Sequence, residues 1–174
     1  MTADKMARNL TGLLLIAGLA VIATAWGFQL IGGYVPCKLC LEQRVPYYAG
    51  LPLTALALIL MTRRRTGLAM LVLLAVAAVF AYGSGLGIYQ AGAEWQFWEG
   101  PSDCGGGTAT PASAANMLQA LQTTRVVSCT EASWRMLGLS FAGWNAVASG
   151  GLALCALLAA FLLNRRGNAA SVGA

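Results

Sequence analysis

Residues 67–89 read GLAMLVLLAVAAVFAYGSGLGIY, an apolar run without one charged side chain. A helix needs about 20 such residues to cross the hydrocarbon of a bilayer, and this run is long enough. Working outward from it, residues 10–31, 45–61 and 138–163 form three more runs of spanning length. The one at 45–61 is the shortest and contains Pro46 and Pro52, which membrane helices tolerate when neighbouring groups satisfy the freed carbonyls. Composition agrees: the 174 residues are 58% hydrophobic and 10% charged, against roughly 25% charged in a soluble domain. The fold class expected is an all-α membrane protein, a four-transmembrane-helix bundle forming one domain over residues 1–174. Its outer loops lie at about 32–44 and 90–137.

Charge orients the bundle. Lys5 and Arg8 precede the first run, Arg63, Arg64 and Arg65 join the second and third, and Arg165 and Arg166 follow the fourth. All fall on one side of an even-numbered bundle. The other side carries Lys38, Arg44, Arg125 and Arg135 against Glu42, Glu94, Glu99, Asp103 and Glu131. The positive-inside rule then puts both termini in the cytoplasm. The net charge of +5 is accounted for by topology and carries no nucleic-acid footprint. Lys5 and Arg8 before an apolar run ending near Ala23-Thr24-Ala25 also have the outline of a signal peptide. The run continues through Trp26 to Ile31, so it reads as a spanning helix.

This topology places Cys37, Cys40, Cys104 and Cys129 outside, in a compartment that permits disulfides. Cys155 lies inside the fourth run and reads as a small apolar side chain. The second outer loop opens with the interfacial cluster Glu94-Trp95-Gln96-Phe97-Trp98. It passes through Gly100-Pro101-Ser102-Asp103-Cys104-Gly105-Gly106-Gly107, then shows an i, i+3, i+4, i+7 pattern at Ala114, Met117, Leu118 and Leu121. That pattern predicts a short amphipathic helix, either on the bilayer surface or as an ordinary loop helix. Trp134 and Trp144 mark the return to the interface.

Three readings of the cysteines are open on chemistry alone. A four-cysteine zinc site is poorly matched, because Cys104 and Cys129 are far apart in sequence and the chain has no histidine. Structural disulfides explain a Cys104–Cys129 staple across a long loop, but closing the short Cys37–Cys40 ring removes little chain entropy. An electron relay uses the Cys-x-x-Cys pair best, because a thiolate is the nucleophile in disulfide exchange. Cys40 sits just before the second helix, whose N-terminal dipole favours an anion. Arg44, four residues on, adds a permanent positive charge on the same face, or snorkels to headgroups.

The stretch Cys37-Lys38-Leu39-Cys40-Leu41-Glu42-Gln43-Arg44-Val45-Pro46-Tyr47 resembles the C-x-L-C-x-x-Q-R-x-P-Y signature of the disulfide bond formation protein B (DsbB) family. Gly92-Ala93-Glu94-Trp95 through Gly100-Pro101-Ser102-Asp103-Cys104 is similar to that family's entry into its second loop. Cys129-Thr130-Glu131 through Trp134-Arg135-Met136-Leu137-Gly138-Leu139-Ser140, then Trp144, is similar to its return. The resemblance runs from the first helix to the fourth. It implies a thiol:quinone oxidoreductase of the bacterial inner membrane, with the cysteine loops periplasmic. A reduced, DsbA-like thioredoxin-fold partner attacks the Cys104–Cys129 disulfide and is held at Cys104. Electrons pass to Cys37–Cys40, with Cys37 exchanging with Cys129. Cys40 faces a ubiquinone or menaquinone, Arg44 helps hold it, and quinol leaves through membrane lipid for the respiratory chain. A quinone is a suitable sink for a partner with a potential of about −120 mV.

The chain departs from the family where many members carry a histidine just after the third helix; here the residues are Tyr89-Gln90-Ala91. Gln90 can donate a hydrogen bond to a quinone carbonyl, but it cannot shuttle a proton near neutral pH. Two alternatives stand beside the relay. One is a non-enzymatic membrane protein stapled by disulfides. The other is a quinone reductase resembling vitamin K epoxide reductase, which has its redox pair near a late helix, the reverse of the order here.

Overall fold

In lipid a backbone must satisfy its own polar groups, so apolar runs of this length form helices. The computed structural model describes residues 3–100 and 129–172, the last seven by backbone alone. Its helices are α1 (Ala3–Leu30), the short α2 (Lys38–Glu42), α3 (Val45–Thr62), α4 (Thr66–Glu94) and α5 (Phe141–Val172). Among the described residues, four helices are long and apolar enough to cross a membrane, with α2 running into α3. They pack in a ring, α1 on α3, α3 on α4, α4 on α5 and α5 back on α1, and the α4–α5 contact is the broadest. The protein is a multi-pass, all-α membrane bundle. Cys104 and the helix expected around Ala114–Leu121 lie outside the described residues.

The apolar surface is sorted as a bilayer requires. Leu13, Ile16, Leu71, Leu154 and Phe161 point outward and are at least half exposed. The interior holds small residues and a few polar ones. Buried Thr11 and Thr54 each return a hydroxyl hydrogen bond to the carbonyl four residues back, Ala7 O and Gly50 O, at 2.8 Å. Tyr47, Leu51, Val76, Phe80, Leu152 and Ala156 share one core cluster. A second, built from Ala7, Ala57, Ala69, Leu73, Ala159, Ala160 and Leu163, lies nearer the chain termini.

Two of the helix boundaries that differ from the sequence reading shape the site. The third long helix was expected to end near residue 89; α4 continues to Glu94. It stops where Gln96 adopts φ 61°. There Gln96 N bonds Ala93 O at 3.1 Å and Phe97 N bonds Gly92 O at 2.9 Å, the paired bonds of a Schellman cap. The left-handed residue is a glutamine rather than the usual glycine, so the stop carries little sequence signal. Trp98 folds back and donates from Nε1 to Tyr89 O at 2.9 Å.

The last helix was expected from residue 138, but it begins at Phe141. A two-stranded hairpin precedes it: β1 (Arg135–Met136) pairs antiparallel with β2 (Leu139–Ser140), and Arg135 faces Ser140. Leu137 and Gly138 form the turn at φ 54° and 84°. Positive φ at both central positions suits a tight hairpin and excludes helix. Ser140 Oγ then accepts from Gly143 N at 3.2 Å, a side-chain cap at the true helix start.

Candidate active site

Cys37 is the cap of α2. Its backbone is extended, and its Sγ accepts from Cys40 N at 3.3 Å. That cap folds the Cys-x-x-Cys back on itself and brings the two sulfurs to 2.9 Å, with both thiols free. A disulfide bond is ~2.05 Å long, so a small movement closes the pair. Cys37 is buried and Cys40 is half-buried. The Cys37 thiol is held well above the ordinary thiol range, first by its hydrogen bond to Cys40 and then by burial. The pair therefore divides into a protonated Cys37 that donates and a Cys40 that receives.

Cys40 was expected to draw on the start of the second spanning helix. It lies in the first turn of the five-residue α2, which runs on into α3 as the start of the second spanning segment. α2 by itself has only a small aligned dipole, so side-chain donors add to the Cys40 N–H that caps Cys37 Sγ. Gln90 supplies them: its Nε2 stands 3.5 Å from Cys37 Sγ and 3.5 Å from Cys40 Sγ. The same nitrogen contacts Glu94 Oε1 at 3.3 Å. One amide nitrogen has two N–H groups, so three acceptors share two donors. Glu94 Oε2 is buried without a hydrogen-bond partner among the described residues. The extension of α4 makes this cluster, because Gln90 and Glu94 become i, i+4 neighbours on one helix face.

Arg44 is buried, but its guanidinium turns toward α1 rather than the sulfurs. Nη1 donates to Gln29 Oε1 at 2.6 Å and Nη2 to Ala25 O at 3.4 Å, with the group 5.1 Å from the centre of the Trp26 ring. Cys129 is fully buried, is disulfide-bonded, and packs with Cys37 and Leu39 in one small cluster that Cys40 borders. Its bonding removes one ligand from a four-thiolate zinc site. Cys155 lies apart, partly buried against the apolar core.

Cys37, Cys40, Arg44 and Gln90 all line a cavity of about 620 Å³. One wall is aromatic. Phe141 meets Phe28 at 4.9 Å, Tyr34 at 5.5 Å and Trp134 at 5.0 Å between ring centres. The size and the mix of apolar walls with a few convergent polar groups suit a small-molecule or cofactor site.

A further set of residues was not singled out as site residues from the sequence. Tyr47 OH donates to Asn145 Oδ1 at 2.9 Å, Asn145 Nδ2 to Gln43 Oε1 at 2.7 Å, and Gln43 Nε2 to Gln90 Oε1 at 2.6 Å. This chain joins α3, α5, the α2–α3 turn and α4 beside the sulfurs. It is possible because α4 and α5 lie close at Gly87, where an added Cβ would fall 2.8 Å from Ala146 N and 2.9 Å from Ala142 O. Gln43 and Tyr47 stand inside the motif-bearing stretch; Asn145 carries no signal beyond being polar in an apolar helix.

Comparison with known proteins matches residues 7–159 to the family described as disulfide bond formation protein DsbB. The chain is 30% identical, over 165 residues, to a disulfide bond formation protein B of Marinobacter nauticus (strain ATCC 700491 / DSM 11845 / VT8), covering 91% of this chain and 93% of that one. No solved structure matches the chain.

Proposed function

Because the chain belongs to the DsbB family, and so is a membrane oxidoreductase of disulfide bond formation, we propose that it oxidises a periplasmic thioredoxin-fold dithiol and passes the electrons to membrane quinone. The observation that carries this reading is the Cys37–Cys40 pair, with sulfurs 2.9 Å apart, opening on the aromatic-walled cavity on one side. On the other side Cys37 packs with the disulfide-bonded Cys129.

The chain's own residues support each stage. The partner's thiolate attacks the disulfide between Cys104 and Cys129 at Cys104, releasing Cys129 as a thiolate. Cys129 attacks Cys37 of the oxidised Cys37–Cys40 pair, and Cys40 leaves as the thiolate. The Gln90 N–H groups receive that charge, which strengthens the hydrogen bond as the charge forms. The partner's second thiolate attacks the mixed disulfide, which leaves the partner oxidised and frees Cys104 as a thiolate; Cys104 then attacks Cys129 of the Cys129–Cys37 bond, restoring Cys104–Cys129 and leaving Cys37 and Cys40 reduced. When the pair closes again, two electrons and two protons leave the site. The residues fit a flat apolar ring with polar edges: Phe28, Phe141 and Trp134 offer the faces, and Cys40 is at hand. Quinone, when bound there, supplies the oxidising equivalent. Arg44 holds the α3 start against α1 through Gln29 and so shapes that side of the cavity. The basic residues at the opposite end of the bundle support, by the positive-inside rule, a topology with both termini in the cytoplasm and the site across the bacterial inner membrane from them.

Purified protein, a reduced thioredoxin-fold dithiol and a soluble quinone, mixed together, should consume dithiol and quinone one for one. Absence of quinone reduction with both a benzoquinone and a naphthoquinone, while the dithiol stays reduced, would overturn the reading.

A further inference from the structure

The side chains joining Tyr47 to the sulfurs have a direction, and a backbone carbonyl sets it. Asn145 Nδ2 approaches Gly83 O at 3.4 Å as well as Gln43 Oε1. A carbonyl oxygen only accepts, so the nitrogen of Asn145 must face that side. Its oxygen then faces the Tyr47 hydroxyl at 2.9 Å and Ser149 Oγ at 3.3 Å, two groups able to donate. With Asn145 fixed, Gln43 must turn its oxygen to Asn145 and its nitrogen to Gln90. Gln90 must in turn offer its oxygen to Gln43 and its nitrogen to Cys37, Cys40 and Glu94. Reversing any one amide would set oxygen against oxygen or N–H against N–H in a buried site, leaving groups unsatisfied at a cost of about 1–3 kcal/mol each.

We propose that Asn145, assisted by Tyr47, is a positioning residue for the thiol pair: it locks the Gln90 amide with its nitrogen the nearer group to both sulfurs, at 3.5 Å, and its oxygen turned to Gln43 at 2.6 Å and no closer than 3.9 Å to Cys40 Sγ. This rests on the reading of Cys37–Cys40 as a redox couple and adds to it the device that tunes the couple. An N–H aimed at sulfur stabilises the thiolate, which exists only in the reduced form. Stabilising the reduced form makes the disulfide more oxidising. The lock therefore raises the oxidising strength of the pair from α5, without touching either sulfur.

The test is the dithiol–disulfide equilibrium of the Cys37–Cys40 pair in the full-length, quinone-free protein. It is held in detergent against thiol redox buffers, and the free thiols are trapped and read by mass. Asn145→Leu should shift the equilibrium constant about tenfold toward the disulfide, which is ~30 mV more reducing. Tyr47→Phe should shift it the same way by about two- to threefold, since Gly83 O still holds Asn145; this variant carries the test if Asn145→Leu does not fold. Ser84→Ala removes a different α4–α5 bond, Ser84 Oγ to Ala146 O at 2.9 Å, and should leave the equilibrium unchanged. A folded Asn145→Leu or Tyr47→Phe with the wild-type equilibrium would overturn the proposal, as would an equal shift in Ser84→Ala. A wild-type pair that does not cycle at all would instead overturn the functional reading beneath it.

Discussion

The two ends of this bundle are packed on opposite principles. Toward the termini, Ala7, Ala57, Ala69, Ala159 and Ala160 let the helices close with little between them. Toward the cysteines, the interior opens into a cavity walled by Phe28, Tyr34, Trp134 and Phe141 and lined also by a chain of amides. In lipid, helices gain nothing by burying apolar groups from water, so close packing of small residues and buried hydrogen bonds hold them together. The closed end uses the first and the open end the second. Under the proposed function, chemistry belongs to the end where polar groups replaced packing, and the two ends should fail differently when changed.

The largest effect should come from the open end. Cys40→Ser should lower dithiol-dependent quinone reduction by more than about a thousandfold, yet shift unfolding by less than about 0.5 kcal/mol, as a near-isosteric change at a half-buried site does. Quinone-reduction rates and a denaturation curve, taken side by side, check this; a large loss of stability would mean that the thiol is structural.

The closed end should show the reverse. Ala159 is fully buried, and Ala159→Leu should destabilise the bundle by about 1–3 kcal/mol through overpacking. Turnover per folded molecule should stay within about twofold. Denaturation in detergent, with activity normalised to folded protein, measures it. Turnover falling in step with Cys40→Ser would erase the contrast between the ends.

The smallest effect sharpens the picture within the site. Glu94 competes with the sulfurs for the Gln90 N–H groups and brings a negative charge beside them. Glu94→Gln keeps the side-chain shape and removes the charge. Iodoacetamide labelling of Cys40 at neutral pH should accelerate about two- to fivefold, because a thiolate with one less anion nearby forms more readily. Cys37, buried and proton-retaining, should stay largely unlabelled. Slower labelling of Cys40 would mean that Glu94 organises Gln90 rather than competing with it.

Much of this was legible in the chain. Four apolar runs, the arginines grouped on alternate turns, and a Cys-x-x-Cys at the head of a Gln-Arg-x-Pro-Tyr motif are local facts. Local facts suffice because a bilayer selects helices by length and hydropathy. The helix ends were less legible. Gln96 and Leu137 hold left-handed conformations where glycine is the usual signal, so α4 ran longer than expected and α5 began later.

The sequence by itself determined that this is a membrane helix bundle with a paired thiol, and it pointed to the family through residues that sit next to one another. Only the tertiary structure decided what surrounds the sulfurs. It turned Arg44 away to Gln29 and set Gln90 N–H against both thiols. It also brought Asn145 to Gln43 across 102 positions of sequence. The reason is physical. Hydropathy fixes which segments enter lipid but says nothing of how each helix is rotated about its axis. Rotation and register settle which polar atoms meet, through close approaches such as Gly87 against Ala146.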